Sequence, residues 1–458
     1  MATPYSPEEI ARLEALDHRH LWHPFTQMRD WLREPPLIVA SGEGPYLYDI
    51  QGRRYLDGVS SLWVTVHGHQ HPALNRAITE QLGKVAHSTL LGLSNVPAVE
   101  LAARLVELAP PGLSRVFYSD SGSTAVEIGL KIAFQYWKHR GQPQRTKFLA
   151  LGEAYHGDTV GSVSVGGIER FHEIFRPLLF HAKRAPVPYC YRCPLGLSYS
   201  ECSISCLQEL KRILSENKEQ IAAVVLEPLV QGAAGMVMHP PGYLLGVRQA
   251  CDDAGVLLLV DEVATGFGRT GTMFACEQEG VSPDILCVAK GITGGYLPLA
   301  ATLTTEEIFR AFFGAYEEYK TFFHGHTYTG NPLACAAALA SLDLFREEKT
   351  LEKLAVEIPR LQEALAPLAA LPQVGEIRQR GFMVGIELVA DRATKRSFPA
   401  ARRVGQRVCQ KARELGAILR PLGDVIVLMP PLCLGGDELL RLVEITRQAI
   451  EAIALPER

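Results

Sequence analysis

Apolar runs that stop abruptly at a small or charged residue recur along this chain. Residues 256–260, within VLLLVDEVATGFGRTG, are aliphatic throughout and deliver Asp261 and Glu262 ahead of Thr265-Gly266-Phe267-Gly268-Arg269. Residues 285–289 end on Lys290, with Gly291, Gly294 and Gly295 just beyond. IAAVVLEPLVQGAAG ends on Glu227, and KFLALGEAYHGDT turns through Tyr155, His156 and Asp158. Short continuous runs bounded by turn residues predict buried strands. Helical patterns alternate with them over roughly 200 residues, which predicts an α/β fold with a mostly parallel sheet covered on both faces.

The flanking regions follow other periods. Ser6-Pro7-Glu8-Glu9 opens a helix with a capping box and a proline at its first position. GPYLYDIQGRRYLDG alternates apolar and polar residues and breaks at Gly52, which predicts a hairpin. Residues 71–108 carry two amphipathic helical patterns. In SRVFYSDSGSTAVEIGL a strand turns through Ser119-Asp120-Ser121-Gly122-Ser123-Thr124 into a long helix. That turn is either a phosphate cup or an ordinary serine-rich cap. Beyond Pro332 come a long apolar helix, an amphipathic stretch at 351–368, the strand GFMVGIELV, a helix at 401–415 and a strand at 423–430. This predicts a separate small domain.

Composition narrows the classes. With 458 residues, 47% hydrophobic and 21% charged, the chain is long enough for one large and one smaller domain. The net charge of -4 comes without a basic block, which argues against a nucleic-acid partner. Glu8 and Glu9 stand where a signal peptide needs an apolar segment, and no stretch approaches a membrane span, so a cytoplasmic protein is expected. A dehydrogenase is set aside for want of a strand-borne G-x-G-x-x-G.

An acid and a lysine carried in turn to the carboxyl edge of such a sheet, where ligands bind, point to specific chemistry. Burial disfavours an ammonium and frees the neutral amine as a nucleophile. Pyridoxal 5'-phosphate needs both groups, an amine for its aldehyde and a carboxylate to keep its ring nitrogen protonated. Other polar clusters read more plainly. His67-Gly68-His69 has metal-compatible spacing but no acid or cysteine close by in sequence, so turn and packing roles are expected. Trp22, His23, Pro24 and Phe25 read as packing or interface rather than a substrate wall. Cys190, Cys193, Cys202 and Cys206 fall in PYCYRCPLGLSYSECSISC. Their spacing is compatible with zinc, whereas the short middle spacer favours reduced thiols in an insertion loop. No metal is expected.

WHPFTQM, DGVSSLW, DSGSTAVE, AYHGDT, DEVATGFGRTG, AKGITGG, HGHTYTGNPLACAAA and RPLGDVIVLMPPL span nearly the whole chain. Together they resemble the class III aminotransferases, pyridoxal-phosphate enzymes of fold type I, and within them the biotin-forming members that aminate 8-amino-7-oxononanoate. The resemblance implies a seven-stranded-type sheet in a large cofactor domain, 76–334, and a small α+β domain, 335–458, joined by residues 1–75. It implies a homodimer with active sites at the interface.

The site carries over in the same way. Lys290 would bind the cofactor and move the proton, Asp261 would pair with the ring nitrogen and Tyr155 would stack on the ring. Ser121, Gly122 and Ser123 would hold the phosphate, with Thr327 reaching over from the second subunit. His156, Glu227 and His326 complete the implied cofactor contacts. Phe25, Leu62, Trp63, Asp158 and Gly325 would line the substrate pocket, and Arg420 would grip the acceptor carboxylate. Arg269 would support that pocket, with an ion pair to a nearby acid as the alternative. Adenosylmethionine-using members resemble WHPY and SSWW, whereas Phe25 and Leu62 stand here. The lysine-using members are the nearer match, with adenosylmethionine the second choice. Another ω-amino-acid or diamine aminotransferase is the alternative function.

Overall fold

Strand residues that are aliphatic at every position become the middle of a sheet, because both of their faces need cover. Ile221–Leu226, Leu257–Asp261 and Ile285–Val288 are buried along their whole length in the computed structural model, which describes residues 5–199 and 201–453. They form the centre of a seven-stranded sheet. Its order is Leu113–Ser119, Ala300–Thr305, Ile285–Val288, Leu257–Asp261, Ile221–Leu226, Lys147–Leu151, Lys183–Ala185. Ala300–Thr305 runs antiparallel to both neighbours, and the remaining pairs are parallel.

The two faces separate as a period of two requires. Leu257, Leu259, Ile285 and Cys287 pack with Ala125, Ile128 and Ile132 of the helix Gly122–His139. Leu258, Val260, Leu286 and Val288 face the other side, where Leu244 and Val247 of Tyr243–Ala254 contribute to the core. The sheet therefore lies between helices, as the sequence predicts.

The hairpin forms from Tyr46–Asp49 and Arg54–Asp57, and the latter strand pairs in parallel with Ala417–Ile418 near the far end of the chain. A further sheet joins Val374–Arg380, Met383–Leu388, Val425–Leu428 and Arg420–Leu422. The helix expected over 401–415 is shorter, Val404–Glu414, because Arg403 takes a left-handed φ of 48° and breaks it from a preceding turn. Gly266, Gly268 and Gly271 do carry the glycine spacing of a dinucleotide fingerprint, but they lie in turns that lead to no α-helix. No helix among the described residues is long and apolar enough to cross a membrane.

Candidate active site

Ser119, Glu227, Asp261 and Lys290 all lie at or just past the carboxyl ends of their strands. In an open sheet that edge is where a cleft forms, and here it holds one of about 710 Å³. Trp63, Asp120, Ser121, Gly122, Ser123, Tyr155, His156, Asp158, Glu227, Asp261 and Lys290 line it. Motifs spread over more than half of the chain thus converge on one space.

Lys290 follows the strand Ile285–Val288 and itself takes a left-handed φ of 46°. Its amine lies 5.1 Å from the centre of the Trp63 ring. Burial pushes the amine below its ordinary range, while Asp261 and Glu227 act the other way. Loss of solvation favours the neutral, nucleophilic form.

Asp261 is buried, and its carboxylate is oriented on both oxygens. His156 Nδ1 lies 2.7 Å from Oδ2, and the Val263 N–H donates to Oδ1 at 3.0 Å. Glu227 accepts from the Tyr155 and Gly232 amides at 3.1 and 2.9 Å. Burial nevertheless pushes its carboxyl up to about 7, against the pull of His156 and those two amides. One acid is thus held by a histidine, and its neighbour sits near neutrality.

The first turn of Gly122–His139 closes one end of the cleft. Ser121 caps it, accepting from the Thr124 N–H at 3.3 Å. First-turn amides have no partner within a helix, so this end offers donors to an anion. Glycine is needed at two points here. A Cβ on Gly122 would stand 2.4 Å from Val263 Cγ1, and one on Gly157, at φ 116°, 2.4 Å from Ser123 Cβ. Ser123 Oγ accepts from the Thr159 N–H at 3.0 Å and binds the helix start to the 155–159 loop.

The residues fit pyridoxal phosphate. The cleft joins an anion-binding helix end, a buried amine and an oriented carboxylate. Trp63 Nε1 and His156 Nε2 are buried there without a protein partner among the described residues. The Tyr155 hydroxyl donates to Asp158 Oδ2 at 2.7 Å, and its ring is stacked near His172 at 6.3 Å.

Other expected site residues fall outside the lining of this single chain. Arg420 is half-buried and acts electrostatically on Tyr155. Phe25 and Leu62 are largely exposed at 61% and 47%, and Phe25 meets Phe171 edge-on at 5.5 Å. Gly325 and Thr327 are exposed, and His326 Nδ1 lies 2.7 Å from Asp120 Oδ2. Arg269 lies behind the cleft lining and is fixed by backbone contacts. It is wholly buried, its charge acts on Lys290, and its Nη groups donate to the carbonyls of Pro430 and Thr65 at 2.6 and 2.7 Å. Among the described residues no acid pairs with it at contact distance, because two backbone oxygens take its fork.

Sequence reasoning missed what holds Trp63. Ser60, Ser61 and Trp63 all have left-handed φ values, of 51°, 60° and 65°. Asp57 spans this strained turn, accepting from the Ser61 N–H at 2.8 Å and its hydroxyl at 3.0 Å. His69 Nε2 stands 3.0 Å from the same carboxylate. The acid partner for His69 was therefore present twelve positions upstream, and the turn at Gly58 hid it.

The sequence matches the model of the family described as Aminotransferase class-III over residues 28–450. It is 59% identical to the adenosylmethionine-8-amino-7-oxononanoate aminotransferase of Nitratidesulfovibrio vulgaris over 98% of this chain and 83% of that protein. A crystal structure of the enzyme of the same name from Methanocaldococcus jannaschii matches with a TM-score of 0.93 and 46% identity, covering 97% of this chain and 100% of that one. An (S)-enantioselective omega-transaminase from Thermomicrobium roseum matches with a TM-score of 0.92 and 40% identity, covering 97% and 98%. The chain belongs to the class III aminotransferase family.

Proposed function

We propose that this aminotransferase uses pyridoxal 5'-phosphate to convert 8-amino-7-oxononanoate to 7,8-diaminononanoate, a step of biotin formation. One observation carries the reading. Lys290 and Asp261 meet at a cleft closed by the helix end at Gly122 and Ser123, in a chain 59% identical to an enzyme named for that acceptor.

When bound, the cofactor supplies an aldehyde that takes up the amino group and a ring that stores the electron pair left at the substrate carbon. Lys290 Nζ, whose neutral form burial favours, takes the proton from that carbon and returns it. Asp261, oriented by His156, keeps a proton on the ring nitrogen. Ser121, Gly122 and Ser123 hold the phosphate with Thr327 of the partner subunit, and Tyr155 packs on the ring. Trp63, Asp158, Phe25, Leu62 and Gly325 shape the substrate space, and Arg420 takes the acceptor carboxylate by a two-pronged contact. Two unlike substrates use this space in turn.

The enzyme acts in the cytoplasm as a homodimer. Support for the dimer comes from exposed Leu91, Phe323 and Tyr328, at 77%, 73% and 62%. Pairing of Arg54–Asp57 with Ala417–Ile418 supports reading residues 1–75 with 335–458 as the small domain.

Phe25 and Leu62 favour lysine as donor, while the relatives carry adenosylmethionine in their names. Mixing the yellow holoenzyme with each donor alone separates them, because only a true donor bleaches the colour. Loss of colour with a simple ω-amino acid but with neither of the two donors contradicts the biotin assignment and favours the omega-transaminase likeness.

A further inference from the structure

Away from the cleft, Cys190, Cys193, Cys202 and Cys206 line one small cavity of about 20 Å³. Two residues separate the first pair and three the second, spacings that allow a turn to aim both thiols of a pair at one point. The first pair leads into a turn in which the Gly196 N–H donates to the Cys193 carbonyl at 3.0 Å. Before the last cysteine, Ser203 and Ile204 take left-handed φ values of 45° and 54°. That region is unfavourable for a β-branched residue, so the bend that brings Cys202 towards Cys206 is strained.

Burial raises the Cys190 and Cys206 thiols, and a backbone contact opposes it at Cys206. Cys206 lies in the first turn of the helix Ser205–Asn217, and the Leu207 N–H is directed to its sulfur. Helix N-termini and N–H donors favour the charged sulfur. Tyr243 lies beside Cys206, is wholly buried, and its hydroxyl has no hydrogen-bond partner among the described residues. Arg192 and Lys395 both sit over the ring of Tyr191, which stands between Cys190 and Cys193 in the sequence, at 5.4 and 4.6 Å.

Polar contacts of Tyr189, Tyr191 and Arg192 hold the start of the loop, and the stretch beyond is more open. No helix or strand forms among its described residues between Lys183–Ala185 and Ser205–Asn217. Leu195, Leu197 and Tyr199 remain 39%, 44% and 47% exposed, too open for apolar burial to fix the bend. Among the described residues no three potential ligands already stand in a metal-holding group, so closing the site takes rotation of the thiols into the cavity they line.

We propose that these four cysteines bind one thiophilic divalent cation, zinc, as a structural site. Four Zn–S bonds form as four S–H bonds break, the protons leave to solvent, and no electron is transferred. The site would fix the loop against the C-terminal lobe, where Tyr189 and Arg192 meet Glu387 and Lys395 Nζ donates to the Tyr191 carbonyl at 2.7 Å. The aminotransferase chemistry does not depend on it directly.

The test uses untagged holoenzyme grown with zinc and desalted, with metal measured by mass spectrometry and thiols counted before and after organomercurial release. About one zinc per chain, freed together with the four thiols, is expected. The double variant Cys190→Ser, Cys193→Ser should lose the metal. The wild-type measurement decides alone if that variant fails to fold. Wild-type protein without zinc, with these thiols freely reactive or paired as disulfides, overturns the proposal, as does zinc that persists in the folded double variant.

Discussion

The Lys290 amine faces the ring of Trp63 at 5.1 Å, and the backbone presenting that ring is held in a left-handed turn by Asp57. Strain of this kind persists only where neighbours over-determine it. Asp57→Asn replaces an acceptor-only group with one that also donates, opposite the Ser61 N–H, the Ser61 hydroxyl and His69. Stability should fall by about 1–3 kcal/mol, and kcat/KM should fall at least tenfold even well below the variant's melting temperature. Activity that follows the folded fraction alone would show that the turn has no part in placing Trp63.

Arg269 gives the opposite expectation. Because both Nη groups bind buried backbone carbonyls, Arg269→Met should destabilise by about 2–3 kcal/mol. Its substrate KM, measured where the variant is folded, should stay within about twofold of wild type, since a 1.4 kcal/mol binding change would be tenfold. A large rise in KM with unchanged unfolding would show that Arg269 supports the pocket directly.

The phosphate end has a steric test. Gly157→Ala places a Cβ 2.4 Å from Ser123 at φ 116°, whereas Gly141, at φ 75°, has open space around it. Gly141→Ala should carry only the backbone penalty of about 1 kcal/mol, with cofactor affinity unchanged. Gly157→Ala should weaken pyridoxal-phosphate binding in equilibrium dialysis by about tenfold or more, a loss of at least 1.4 kcal/mol. Equal affinities for both variants would remove the helix end from the cofactor site.

Glu227 gives a signed pH prediction. Burial raises its folded carboxyl from 4.5 to about 7, so the folded state holds a proton that the unfolded state releases. The stabilisation is complete below pH 4.5 and is lost as pH rises through 7, an effect of up to about 3 kcal/mol. Urea unfolding of the apoprotein should therefore show wild type losing ground to Glu227→Gln between pH 5 and 8. A gap that is constant, or that changes the other way, would mean an ordinary carboxylate.

Much of this was readable from the residues because the chemistry ends the apolar runs. Asp261, Glu227 and Lys290 each end or follow a short apolar run that predicts a buried strand, which put them at strand ends before any pairing was known. Ala300–Thr305 gave no such signal, since its alanines and threonines neither alternate nor form an aliphatic run, yet it inserts antiparallel beside Ile285–Val288. Contacts made across turns were also hidden. Asp57 reaches His69 and Arg269 reaches Pro430 through geometry that spacing alone does not encode. Phe25, Leu62 and Thr327 stand outside the lining of one chain, a placement their motifs did not reveal.

The central claim is that one buried amine, Lys290, carries the cofactor. Borohydride reduction of the holoenzyme, followed by digestion and peptide mass mapping, tests it directly. The pyridoxyl mass should appear on the peptide containing Lys290 and on no other lysine, and Lys290→Ala should yield no labelled peptide. A label on a different lysine, or a labelled Lys290→Ala protein, would contradict the account.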